Sequence, residues 1–302
     1  MHGNEGGVDR IDSVDGHQWA LRTFDRREKA RAEAACRLKY YLSETCDSLC
    51  ERPVKALCGD FTVVPVEASS SACSIHKWVQ GSTYSVASQD IRAKAPEYLG
   101  RAMSLMHSYG NEAELADMGL EKNVSKTYLR DYERLLSMAS ECTVDLECLV
   151  RELTIQLNES KEMLPRTIIH GDINEGNYII GSNVVTLIDF NRCGFGLRDY
   201  DLATGIMHLS PKERASCLAG YILNAPEVEL VQSSMDLFFV CAVIDNMAFL
   251  ATLPGEEEYI QTTAKWICNA WQTSSKGISV DVNRAYELAN NAIQTDARTS
   301  RR

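Results

Sequence analysis

Ile168-Ile169-His170-Gly171-Asp172-Ile173-Asn174-Glu175-Gly176-Asn177-Tyr178-Ile179-Ile180, with Leu187-Ile188-Asp189-Phe190 soon after, is the stretch from which this chain is read. Each polar cluster lies beside a β-type apolar run, at 167–169, 178–180 and 184–188, so the polar residues are expected in loops at strand ends. Loops held by a rigid scaffold are where chemistry concentrates. Moving a phosphoryl group from a nucleotide to a hydroxyl takes one carboxylate to orient and deprotonate the attacking oxygen. It also takes hard oxygen ligands that hold magnesium against the phosphates. Asp172 suits the first task, and Asn177 and Asp189 suit the second.

The protein kinase catalytic loop spaces its Asp and Asn by five residues and follows them with a metal-binding Asp beside Phe. Asp172, Asn177 and Asp189-Phe190 repeat that order and that first spacing. With His-Gly-Asp for His-Arg-Asp, and Ile-Asp-Phe for Asp-Phe-Gly, the chain resembles the aminoglycoside phosphotransferase and choline kinase superfamily of small-molecule kinases. Further matches run from about Gly3 to about Tyr221. They are Asp15-Gly16 before Trp19-Ala20-Leu21-Arg22, Trp78-Val79-Gln80-Gly81, Leu99-Gly100 before Leu105-Met106-His107, and Asp201-Leu202-Ala203. Any one piece is weak, since a lone acidic residue more often caps a turn; the ordered set is specific.

The resemblance implies an α+β, protein-kinase-like two-lobed fold. Residues 1–81 would form a small antiparallel β lobe and hinge that bind nucleotide, and residues 82–302 a larger, mainly helical lobe for catalysis and acceptor binding. It implies ATP or GTP with Mg2+ as cofactors, Asp172 as catalytic base, and Asn177 and Asp189 as metal ligands. Arg22, where the template usually has Lys, would grip the α- and β-phosphates; a guanidinium can do so bidentately. Glu33, on the next helix, is the expected partner of Arg22. The Lys77 carbonyl and Val79 amide would read adenine. His170 and Asp201 are expected to brace the loop.

Composition bounds the rest. A chain of 302 residues with 45% hydrophobic residues can build a real core. No apolar run approaches the roughly 18 residues of a membrane span, and the start at Met1-His2-Gly3-Asn4-Glu5 does not read as a signal peptide. A cytoplasmic protein without membrane attachment is expected. Eleven scattered cysteines show no zinc spacing, and reduced, mostly buried thiols follow. A net charge of -11 disfavours nucleic acid and mildly favours cationic substrates.

Along the chain, 8–14 and 17–24 read as a hairpin around Asp15-Gly16, which places Arg22 on its second strand. Residues 26–42 read as a helix, and 61–67 and 72–78 as strands. The first strand of the kinase sheet is short or missing, with Gly3-Asn4-Glu5-Gly6-Gly7 as a candidate phosphate cover. Helices are expected at 96–109, opened by Pro96, and at 126–140, 144–157, 211–223, 234–253 and 257–273, with fraying from Gln294. His107 reads as a satisfied core histidine. The acceptor is expected to be a hydroxyl of an amino alcohol, sugar or aminoglycoside-like molecule. Alternatives are a Ser/Thr kinase acting on a peptide or partner protein, and a pseudokinase that binds nucleotide without turnover.

Overall fold

Asp15 and Gly16 turn the chain between β1 (Val8–Asp12) and β2 (Gln18–Asp25). Gly16 adopts φ +83°, the positive value a tight hairpin favours. In this computed structural model, which describes residues 7–66, 70–109, 118–120, 132–160, 164–273, 278 and 281–299, β4 (Ser71–Lys77) pairs with the other edge of β2. A short β3 (Thr62–Val63) closes an antiparallel sheet of order β1-β2-β4-β3. The register sets Arg22 between Val8 and Ser74. The glycine-rich start lies outside the described residues, apart from Gly7.

The Asp25 side chain accepts from the Arg27 amide and starts a short 3-10 turn at Arg26–Glu28. It leads into α1 (Lys29–Thr45), which buries Ala34, Ala35, Leu38 and Leu42. Strand β3 is shorter than the expected 61–67. The Glu33 carboxylate takes the Phe61 and Thr62 amides at 3.0 and 2.9 Å, so a side chain stands in for ladder partners.

The larger part is helical: α2 (Gln89–Ser108), α3 (Tyr132–Met138), α4 (Thr143–Ser160), α5 (Arg198–Ile206), α6 (Pro211–Asn224), α7 (Gln232–Leu250), α8 (Glu257–Thr273) and α9 (Val282–Thr299). Helix α2 begins at Gln89, well ahead of the expected opening at Pro96, which sits inside it. An interior proline forfeits one backbone hydrogen bond, and burial of Ala95, Pro96, Leu99 and Gly100 offsets the loss. Where α2 meets α6, a Cβ on Gly220 would lie 2.2 Å from the Glu97 carbonyl oxygen. Part of the expected 126–140 helix falls outside the described residues. At the C-terminus, helix α9 continues past Gln294 to Thr299. Helix α7 has the length and apolarity of a membrane span, yet Met235, Leu237 to Ile244, Met247 and Ala248 are buried within the protein.

Two short antiparallel pairs lie between sheet and helices: β5 (Arg166–Ile169) with β8 (Gly194–Leu197), and the hairpin β6 (Tyr178–Ile180) with β7 (Val185–Leu187). The segments before and after the β3–β4 pair each bond one strand of the hairpin. The Leu187 amide donates to Leu49 O at 2.9 Å, and the Ile180 amide donates to Ser82 O at 2.8 Å. A small antiparallel lobe against a larger helical lobe is the two-lobed, protein-kinase-like arrangement expected from the sequence.

Candidate active site

The loop from His170 to Asn177 joins β5 to β6. Gly171 has φ +79°, and a Cβ there would stand 2.4 Å from the Arg192 carbonyl oxygen, so the middle residue of His-Gly-Asp has to be glycine. Asp201, at the start of α5 and fully buried, accepts from the Gly171 amide at 2.7 Å and the His170 amide at 3.0 Å. Its second oxygen also meets His107 Nε2 at 3.0 Å, while His107 Nδ1 meets the Tyr221 hydroxyl at 3.0 Å. Thus His107 is satisfied on both nitrogens. Asp199, the other candidate brace, is used elsewhere, by Arg198 and Ser234.

His170 Nε2 donates to the Ile188 carbonyl at 2.8 Å, and its ring lies 4.5 Å from that of Phe190, tilted by 54°. It ties the loop carrying Asp172 to the segment carrying Asp189. Asn177 Nδ2 donates to the Asp172 carbonyl at 2.8 Å, which leaves the amide oxygen for another partner. The Ile188 amide donates to Asn177 O at 3.0 Å, so Asn177 and Asp189 lie at the same end of the β6–β7 hairpin. Asp189 has φ 64°, left-handed for a residue that is not glycine.

Burial raises the Asp172 carboxyl above its ordinary range, against the opposing pull of Arg192 and His170. The Asn177 amide oxygen and the Asp189 carboxylate form a donor set of hard oxygens that suits magnesium. Among the described residues no cluster of three or more His, Cys, Asp or Glu side chains has metal-binding geometry. A metal here would therefore rest on these two oxygen donors, substrate phosphates and water, which is how magnesium usually binds in kinases.

Arg22 reaches this end of the hairpin. Its Nη2 donates to Asp189 Oδ1 at 2.8 Å, and Nη1 stands 3.8 Å from Glu51 Oε1. Burial, which would lower its pKa, is outweighed by Asp189 and Glu51, and the guanidinium is held more firmly charged than usual. The expected pairing of Arg22 with Glu33 is not formed. Glu33 is spent on the Phe61 and Thr62 amides, the Thr62 hydroxyl at 2.8 Å and Arg37 at 3.3 Å. The second acid beside Arg22, after Asp189, is Glu51, which follows α1. Lys39, inside α1 and 2% exposed, bonds Glu51 at 2.8 Å. Lys39 was legible as a misfit, a lysine spaced with the buried Ala35 and Leu42; Glu51 left no periodic signal.

Lys77 ends β4, its amide donating to Arg52 O and its ammonium 3.3 Å from Asp47. Val79 lies in the crossover that leads to Ser82 and β6. On the far flank of the His170 to Asn177 loop the Tyr84 amide donates to Glu175 O, and its hydroxyl donates to Glu213 at 2.6 Å. Glu213 also completes a capping box with Ser210 at the start of α6. Tyr178 is hydrogen bonded to His208 Nε2 at 2.8 Å, and burial pushes the His208 pKa down to about 4.

Among solved structures the chain is similar to an amicoumacin kinase in complex with AMP-PNP, Ca2+ and Ami, with 15% identity and TM-score 0.65 over 89% of this chain and 87% of that one. It is also similar to a microcompartment-associated aminopropanol kinase, with 18% identity and TM-score 0.65 over 90% and 94%. A third is spectinomycin phosphotransferase with ADP and spectinomycin, with 13% identity and TM-score 0.62 over 95% and 92%. No curated protein sequence matches significantly. At these identities the structures establish the fold. The family model of the phosphotransferase enzyme family matches residues 10–227. With the greater part of its length so matched, the chain belongs to the phosphotransferase enzyme family, as a kinase that phosphorylates an alcohol group.

Proposed function

We propose that the protein transfers the γ-phosphate of ATP or GTP, bound with magnesium, to a hydroxyl of a small molecule such as an amino alcohol, a sugar or an aminoglycoside-like compound. The observation that carries this reading is the meeting of Asp172, Asn177, Asp189 and Arg22 around one end of the β6–β7 hairpin. The AMP-PNP, ADP and Ca2+ of the amicoumacin and spectinomycin enzymes support nucleotide and divalent metal use.

In this reading residues 1–81 hold the nucleotide, with adenine at Lys77 and Val79, and residues 82–302 hold the acceptor. Asp172 orients the acceptor hydroxyl and takes its proton as the phosphoryl group arrives. Asn177 and Asp189 would hold magnesium, which when bound neutralises charge on the transferring phosphates. Arg22 directs its guanidinium to the nucleotide phosphates. All eleven cysteines are free thiols, which supports a reducing, cytoplasmic setting.

The test is magnesium-dependent turnover of ATP and GTP against pools of amino alcohols, sugars and aminoglycosides, with Asp172→Ala as control. Phosphate appearing on one pool, and lost in the variant, is the expected result. Nucleotide binding with no transfer to any pool would overturn it.

A further inference from the structure

Behind Arg22 lies a buried chain of polar groups that the roles above leave unused. Lys39 donates to Glu51 Oε1 at 2.8 Å and to His76 Nδ1 at 3.2 Å. Lysine has only donors, so His76 Nδ1 accepts, and the ring proton sits on Nε2, 2.8 Å from Ser74 Oγ. His76 is kept neutral by burial first, then by Lys39 and Arg22. Among the described residues, Glu51 is therefore the anion that answers Lys39.

Glu51 is only 6% exposed, and it is incompletely used. Its Oε1 accepts from Lys39, lies 3.4 Å from the Asp189 amide and 3.8 Å from Arg22 Nη1. Its Oε2 is buried with no hydrogen-bond partner among the described residues. A carboxylate oxygen left unpaired inside a protein costs free energy unless something can use it. Arg22 gives its short bond to Asp189, the oxygen that magnesium would claim. Were that oxygen to hold magnesium, the Arg22 guanidinium would need another acid within reach. Glu51 also sits at a fixed place relative to Asp189, because Leu49–Glu51 is bonded to β7, the strand leading into Asp189. The Leu187 amide donates to Leu49 O at 2.9 Å, and the Glu51 amide donates to Leu187 O at 3.4 Å.

We propose that Glu51, clamped by Lys39, is the positioning residue that takes over the Arg22 guanidinium when Asp189 turns to magnesium nucleotide, an assignment that rests on the kinase reading above. The charges are rearranged relative to the expected pair: α1 supplies a buried base, and the acid comes from the segment after it.

Glu51→Gln, Lys39→Met and the double variant test it, by melting without nucleotide and by calorimetric titration with magnesium ADP. Each single change leaves one buried charge unpaired and lowers Tm, whereas the double change removes both and recovers most of it, the loss of the His76 Nδ1 donor accounting for the remainder. The proposal expects the double variant, largely restored in Tm, still to bind magnesium ADP roughly tenfold or more weakly, the scale of one lost charge-assisted hydrogen bond. Its KM for ATP rises more than its kcat falls. A double variant that binds magnesium ADP as tightly as the wild type would reduce Glu51 to the counter-ion of Lys39 and overturn the assignment. Wild-type protein that binds no magnesium nucleotide would overturn the kinase reading itself, and this proposal with it.

Discussion

Glu33 and Glu51 are two carboxylates, one within α1 and one just after it, whose roles are set by what they touch. Glu33 holds three donors of Phe61 and Thr62, so Glu33→Gln should cost about 1–3 kcal/mol in a urea melt while leaving magnesium ADP affinity near the wild-type value. A large loss of affinity without loss of stability would return Glu33 to the nucleotide site. Asp172 makes the opposite trade. Its folded pKa lies above the ordinary 3.8, so the folded chain binds the proton more tightly than the unfolded one. Stability therefore falls as pH rises from about the ordinary value through the raised one, and the penalty is complete once pH lies above the raised value. Asp172→Asn, which cannot ionise, should melt no lower than the wild type at pH 7, while turnover falls roughly 10²- to 10⁴-fold. Asp172, Asn177 and Asp189 were legible because short spacings and flanking apolar runs set them in loops at strand ends. Glu51 was not, because its contact with Asp189 spans 138 residues and nothing local marks it.

At the scale of elements, the sequence placed the strands and helices better than it placed their ends. The β1–β2 hairpin was readable because Asp-Gly states its own turn chemistry. Helix α2 was misjudged at its start because Pro96 looks like a first-turn residue, and its tolerance inside the helix depends on burial against elements distant in sequence. Strand β3 was overextended because Glu33, a side chain of another element, replaces part of its ladder. Two elements can be tested directly. Gly171→Ala should abolish turnover and lower Tm, since a Cβ would meet the Arg192 carbonyl oxygen at 2.4 Å on a backbone with positive φ; an active, stable variant would refute that account of the loop. Ser210→Ala should cost about 1 kcal/mol, the usual value of an N-cap, because Ser210 and Glu213 close a capping box at α6. A urea melt checks this value.

Across the whole molecule, the β6–β7 hairpin is held by backbone bonds on both sides: Leu187 with Leu49 of the small lobe, and Ile180 with Ser82, where the larger lobe begins. The amides of Ile180 and Leu187 should therefore exchange with solvent only on global unfolding, a rate readable by hydrogen exchange. Early exchange at Leu187 would mean that the lobes part independently. The two-lobed layout was foreseeable, because the catalytic loop implied it by resemblance; these ties were not, since they pair segments with no shared pattern. They carry a practical consequence for cutting and rejoining the chain. Ser182 and Asn183 form an exposed turn between two strands that are each fastened separately, β6 through Ser82 and β7 through Leu49. The covalent link between the strands is thus dispensable to their placement, and new termini opened at Ser182 would leave Asn177 and Asp189 facing the same way.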